Sequence, residues 1–123
     1  MKALNIKQPW ASLIAAGRKT LEIRSWSTHY RGPLVVVASA QPSREHLAHF
    51  DLAYAPCGVT VAVVDVIEVR ATAPDDAEAA CWAVAPGAFA WCLANPRRLS
   101  PIAVRGRLNL WEIDDAIVRP VVA

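Results

Sequence analysis

A run rich in Val, Ile and Thr, at positions 59–72, constrains the fold of this chain more than any other feature. It follows a turn-forming Pro56-Cys57-Gly58 segment, and its composition predicts one long, bent β-strand. A second run, residues 34–40, is almost entirely apolar, which is typical of a strand covered on both faces. We therefore expect a β-sheet with residues 34–40 near its centre.

Shorter elements flank these two runs. Alternating apolar and polar residues predict further strands over residues 1–6, 20–24, 88–93 and 107–113. Helices are predicted over residues 10–16, 44–53 and 74–80, because a proline or a serine stands at the start of each. A glycine also follows the first of these helices. Residues 96–101, with two prolines, are predicted to form a loop.

These elements fit one domain spanning residues 1–123, because a chain of 123 residues can bury one core but not two. The predicted fold class is α+β, with a small mixed β-barrel and short helices packed around it. Curling the sheet into a barrel would also remove exposed strand edges.

Composition restricts the class of protein. Hydrophobic residues make up 54% and charged residues 20%, which is enough apolar surface for independent folding. No apolar run reaches the roughly 18 residues of a membrane span, and no signal peptide is visible, so we expect no membrane association and a cytoplasmic location. Three widely spaced cysteines favour neither a disulfide framework nor a zinc site. No cofactor-binding motif is present.

Cationic and aromatic side chains are concentrated in residues 19–31. Arg24 and Arg31 can bind phosphate with two hydrogen bonds each, whereas Trp26 and Tyr30 offer flat faces for an unpaired base. We therefore predict a basic, aromatic-lined cleft for single-stranded RNA or a nucleoside or nucleotide. Its predicted ligand-binding residues are Trp10, Arg24, Ser25, Trp26, Tyr30 and Arg31.

The chain resembles a known family at residues 8–14, 17–26, 30–34, 89–96 and 105–111. That family is ASCH, for activating signal cointegrator homology. The resemblance implies a β-barrel of the PUA-like superfamily, related to domains of RNA-modifying enzymes, with a cleft for RNA or nucleotides where a helix meets the barrel. The family's ligand-facing Gly-x-Lys-x-x-Glu-x-Arg core matches Gly17, Lys19, Glu22 and Arg24.

The resemblance also implies an alternative, a small hydrolase of the same fold. One branch is similar to an amidohydrolase acting on acylated cytidine, with catalytic Lys, Thr and Glu. Its lysine corresponds to Lys19, but Glu22 occupies its threonine position, and Thr20 is displaced along the strand face. Another branch is associated with metal-independent cleavage of single-stranded RNA. For that reaction, Lys19 or Glu22 can take a proton from a 2′-hydroxyl, and Arg24 or Arg31 can neutralise the charge that develops on the phosphorane.

Three further interpretations remain open. Asp65 is predicted to face the barrel interior, with a raised pKa unless it is paired, either as a second acid of the cleft or as a structural partner of a backbone amide. His46 and His49 can ligate a metal with Asp51 or Cys57, although a second ligand pair is missing. A third function class is a protein-interaction adaptor that binds an acidic peptide in the same cleft.

Two groups of side chains have competing interpretations. Four arginines either extend the positive surface or form a scattered solvated set: Arg97, Arg98, Arg105 and Arg107. Trp10, Trp82, Trp91 and Trp111 can each stack a base, but all four lie in apolar surroundings, and core packing is the favoured interpretation for Trp91. We expect binding rather than catalysis, and the candidate catalytic residues of the enzyme alternative are Lys19, Glu22 and Thr20.

Overall fold

The computed structural model describes residues 1–50 and 55–121, in which six strands form one sheet. The strands are β1 (Lys2–Ile6), β2 (Leu21–Arg24), β3 (Gly32–Ala38), β4 (Thr60–Ala71), β5 (Phe89–Arg98) and β6 (Trp111–Glu112). The helices are α1 (Trp10–Ala15), α2 (Arg44–His49) and α3 (Ala77–Ala80), with 3₁₀ turns at Pro74–Asp76 and Asp115–Ile117. None of the described helices has the length and apolar character needed to cross a bilayer.

The sheet is mixed, with the strand order β2-β5-β4-β3-β1-β6. Strands β1 and β3 are parallel, and the other neighbours are antiparallel. Alternate residues of β3 enter two cores: Leu34 and Val36 pack with α1, whereas Val35 and Val37 pack with Trp111. The prediction of a central strand covered on both faces is therefore confirmed.

The sheet curls into a half-barrel, and the predicted α+β class is confirmed. Strand β4 provides the bend, because its register shifts twice, between Val63 and Asp65 and between Val66 and Glu68. The sheet ends at β2 on one side and at β6 on the other. The curl therefore leaves an open seam between two strand edges.

The C-terminal third differs from the sequence prediction. Strand β5 continues to Arg98, through part of the predicted loop, because the long β4 offers it pairing partners along that length. The predicted strand at residues 107–113 is reduced to Trp111–Glu112. Asn109, with a φ of 59°, interrupts the extended backbone, and residues 104–110 form a loop. The predicted second helix is described only as far as Phe50, since residues 51–54 lie outside the described part of the chain.

Helix α1 is held in place by a polar side chain. Gln8 is completely buried, and its Oε1 atom accepts a hydrogen bond from the Ser12 amide at 2.9 Å. Its Nε2 atom donates to the Pro56 carbonyl at 2.8 Å, which ties the helix start to the segment before β4. Because the helix begins at Trp10, these bonds also fix the position of that ring.

The segment that leads into α3 is fixed by an ion pair between the buried carboxylate of Asp76 and the partly exposed Arg70. Asp76 is 6% exposed and accepts two hydrogen bonds from the Arg70 guanidinium, at 2.8 and 2.9 Å. It also accepts one from the Ala73 amide at 2.7 Å. These bonds hold the pKa of the Asp76 carboxyl at about 2, with Arg70 the largest cause. They position α3, whose last residue, Ala80, contributes to the site below.

Asp76→Asn is expected to lower the Tm by several degrees at neutral pH, because the amide cannot replace the charge that Arg70 and Ala73 bind. The native pKa of about 2 lies below the ordinary value of 3.8. The stabilisation is therefore complete above that ordinary value and is lost as pH falls through about 2. Thermal unfolding over this range should show the two Tm values converging, with the exposed Asp75→Asn as control. A Tm difference independent of pH would contradict this linkage.

Candidate functional site

The open seam contains a cavity with a volume of about 560 Å³. We call it the seam cleft. It is lined by residues 4–7 of β1 and the following turn, 22–24 of β2 and 106–109 of the loop, with Trp10 and Ser39. The cleft exists because β6 pairs only with Lys2 and Ala3, so the rest of β1 has no strand on that side.

Arg24 bridges the seam. Its guanidinium donates to the backbone carbonyl of Asn5 at 2.5 Å, which joins β2 to β1. Its Nε atom lies 3.0 Å from Oε2 of Glu22. That Nε atom is buried and, within the described chain, makes no hydrogen bond, so the contact with Glu22 is ionic.

Glu22 links Arg24 to Lys19. The Lys19 Nζ atom lies 3.5 Å from Oε1 of Glu22 and donates to the carbonyl of Ala80 at 2.7 Å. Lys19 is 5% exposed and Glu22 is 8% exposed. Burial lowers the pKa of Lys19, and the negative charge of Glu22 opposes this shift. The site therefore contains a chain of charges, Lys19–Glu22–Arg24, whose first two members are buried.

A second cavity adjoins this chain of charges. It has a volume of about 270 Å³ and is lined by Trp10, His46, Trp82, Lys19 and Glu22, with Ile23 and two alanines. We call it the aromatic chamber. Trp10, Glu22 and Ile23 line both cavities, so they separate the seam cleft from the chamber.

Four predicted ligand-binding residues, Ser25, Trp26, Tyr30 and Arg31, line neither cavity. The Trp26 ring is partly buried and packs edge-on against Trp91 of the core, with centroids 4.9 Å apart. The Tyr30 hydroxyl donates to the Pro33 carbonyl. Arg31 donates to the carbonyls of Thr28 and Tyr30, at 3.0 and 2.9 Å. Their side chains stabilise the β2–β3 connection, and a direct role in ligand binding stays a prediction.

Thr20 is exposed and separated from Glu22. It lines a small third cavity of about 110 Å³, on the other side of Lys19. Glu22 lines only the seam cleft and the aromatic chamber among the described cavities. Thr20 and Glu22 therefore share none of these cavities, and a catalytic role for Thr20 stays a prediction.

The prediction that Asp65 faces the barrel interior is wrong. Its side chain is 32% exposed and forms an ion pair with Arg97 at 3.1 Å, with an additional hydrogen bond from Asn95. The hydrogen bond from the Arg97 guanidinium lowers the pKa of this carboxyl, which disfavours the protonated form that an acid needs. The register shift beside Asp65 breaks the simple alternation on which the prediction relied.

The arginines and histidines are also separated by the fold. Of the four arginines considered above, Arg107 lines the seam cleft, whereas Arg97 is paired with Asp65. Within residues 1–50 and 55–121, no three His, Cys, Asp or Glu side chains are grouped to hold a metal ion. Asp51, one of the proposed metal ligands, lies outside the described residues. His46 instead packs against the Trp82 ring, with centroids 4.4 Å apart.

Sequence reasoning missed Asn5, Lys7 and Gly106 as cleft residues. Oδ1 of Asn5 accepts a hydrogen bond from the Trp111 indole at 3.0 Å, while a Cβ atom on Gly106 would meet its Nδ2 at 1.6 Å. A side chain at position 106 would therefore displace the Asn5 amide and its hydrogen bond with Trp111. Asn5 could have been identified from the sequence, because it is a polar residue inside the largely apolar strand β1.

The comparisons with known proteins agree with this architecture. The ASCH domain model matches residues 4–103. Human activating signal cointegrator 1 (Homo sapiens) is 27% identical over a 135-residue alignment that covers 93% of this chain. The mouse protein of the same name (Mus musculus) is 26% identical over the same share. The alignment spans 22% of the length of each relative.

Solved structures support the fold independently. The crystal structure of ASCH from Zymomonas mobilis superposes with a TM-score of 0.68, covering 94% of this chain and 88% of that one at 11% identity. Two point variants of that protein give TM-scores of 0.63 and 0.62. At this identity the likeness establishes the fold alone, an α+β arrangement of the PUA-like type. Because the family model matches most of the sequence, this chain belongs to the ASCH domain family.

Proposed function

We propose that this chain binds single-stranded RNA in the seam cleft. The observation that carries the proposal is the charge of the lining: Lys7, Arg24 and Arg107 reach it from three segments of the chain. Glu22 is the carboxylate of that lining, and it is already paired with Lys19 and Arg24. The cleft therefore has an excess of positive charge, which favours phosphate oxygens.

The dimensions favour a short single strand. A cavity of about 560 Å³ accommodates one or two nucleotides rather than the wide surface that a duplex needs. Lys7 and Arg107 do not take part in the ion pairs of the described residues, so both cations can contact the backbone. The ASCH family and its PUA-like fold are consistent with such a role.

Titration of a short, labelled oligouridine with purified protein, at about 50 to 200 mM salt, tests the proposal. The logarithm of the association constant should fall linearly with the logarithm of the salt concentration. Each neutralised phosphate of a single strand contributes about −0.7 to the slope, so two or three neutralised phosphates predict about −1.4 to −2.1. Absence of saturable RNA binding, or preferential binding of an acidic peptide, would refute the proposal.

A hydrolase of the same fold is the second candidate, and one observation favours it. Lys19 has a lowered pKa and lies 3.5 Å from Glu22, an arrangement suited to proton transfer. Mass spectrometry of the same RNA, and of acylated cytidine, after incubation with the protein distinguishes the two functions. Products that disappear in Lys19→Met would establish catalysis, whereas saturable binding with intact RNA and intact cytidine supports recognition alone.

A further inference from the structure

Five aromatic rings gather beside the seam cleft, and the proposed function leaves them unexplained. Trp10 begins α1, His46, His49 and Phe50 lie on and just after α2, and Trp82 follows α3. The Trp82 ring lies 4.4 Å from His46, 4.9 Å from His49 and 5.8 Å from Trp10, between centroids. Three separate elements therefore hold these rings in a fixed arrangement.

The arrangement leaves part of its aromatic surface uncovered. Trp82 is 41% exposed, although its ring is large and apolar. Trp10, His46 and Trp82 line the 270 Å³ aromatic chamber, and the buried ion pair of Lys19 and Glu22 provides its polar lining. Exposed aromatic surface beside a cavity with polar groups is typical of a ligand site, because stacking supplies affinity and the polar groups supply orientation.

From this we propose that the aromatic chamber holds one unstacked nucleobase of the strand bound in the seam cleft. The inference rests on the proposed function and adds a second contact to it. Trp10 and Glu22 line both cavities, so a nucleotide whose phosphate lies in the cleft is adjacent to the chamber. A flat heteroaromatic ring matches the lining, because it can stack on indole or imidazole and present polar edge atoms to the ion pair.

The size of the chamber supports a single base as its occupant. Its 270 Å³ lies just below the range of about 300 to 1,000 Å³ that is typical for drug-sized ligands. Lys19 and Glu22 together offer one donor and one acceptor, and the pairing edge of every base carries both kinds of group. The chamber is therefore expected to bind different bases with similar affinity, unlike a pocket that selects one base through several hydrogen bonds.

Abasic RNA tests this inference on the unmodified protein. A short oligouridine and its fully abasic counterpart share one sugar-phosphate backbone, so they should give the same salt slope. We expect the abasic strand to bind about tenfold more weakly, since base stacking contributes affinity without counterion release. Equal affinity of the two strands would overturn the inference but leave the proposed function intact. No binding of either strand would refute both.

Variants of Trp82 locate the effect. Trp82→Ala should weaken binding of the oligouridine about tenfold and bind the abasic strand as the unaltered protein does. Trp82→Phe retains a flat ring and should restore most of the affinity. Ile67→Ala, which truncates a side chain that is 62% exposed and lines neither cavity, is the matched control. Unchanged oligouridine affinity in Trp82→Ala, or a decrease of the same size for oligouridine and for abasic RNA, would place the base elsewhere and overturn the assignment.

Discussion

Glu22→Gln is expected to lower the free energy of unfolding by about 3 kcal/mol. The substitution keeps the shape of the side chain but removes the charge between Lys19 and Arg24. Lys19 is 5% exposed, so its ammonium group remains buried without a counterion. Breaking a buried pair costs about 3 to 5 kcal/mol, and we expect the lower end because the Arg24 side chain is 25% exposed.

Urea denaturation measures this decrease directly. Glu68→Gln, at an exposed position of β4, is the matched control and should change the free energy of unfolding by less than about 0.5 kcal/mol. The double variant Lys19→Met with Glu22→Gln should recover part of the stability, because the unpaired ammonium is then absent. A Glu22→Gln protein that unfolds at the same urea concentration as the unaltered chain would show that the charges are not coupled.

Replacing Lys7 and Arg107 together by glutamine is the second large effect, and it concerns binding rather than stability. Both side chains are exposed and both line the seam cleft, so we expect the fold to persist. Affinity for single-stranded RNA should fall about tenfold at low salt. The salt slope should become shallower by about 1.4, because each phosphate that is no longer neutralised reduces the slope by about 0.7.

The control for this pair is Arg98→Gln with Arg119→Gln. It removes the same charge from two exposed arginines that line neither the cleft nor the chamber. If net charge alone attracted the RNA, both double variants would bind it with equally reduced affinity. Fluorescence anisotropy titrations of the two proteins at matched salt concentrations separate these outcomes.

The sequence was sufficient for the local structure of the N-terminal half and for the charged centre of the site. The alternation that predicts a strand over residues 20–24 also puts Glu22 and Arg24 on one face of β2, and the structure shows them joined to Lys19. The apolar run of β3 and the glycine after α1 act through neighbouring residues only. The sequence therefore predicted this strand and the end of this helix. Gly17, with a φ of +75°, ends that helix as expected.

The rest of the site depends on how distant segments meet, which alternation and composition do not determine. Trp26 looked like a cleft residue because polar residues flank it, but its ring packs on Trp91 from another strand. Asp65 looked interior until the register shifts of β4 interrupted the alternation. Arg107 enters the cleft because the chain leaves the sheet near Gly106, and that departure is a tertiary feature rather than a local one.

The most direct test of the seam cleft is an amide chemical-shift titration of the isotopically labelled protein with single-stranded RNA. We predict the largest shifts at residues 5–7, 22–24 and 106–109, which come together only in the folded half-barrel. Shifts confined to residues 25–31 would contradict the account, because they would place the RNA on the β2–β3 connection instead of in the seam.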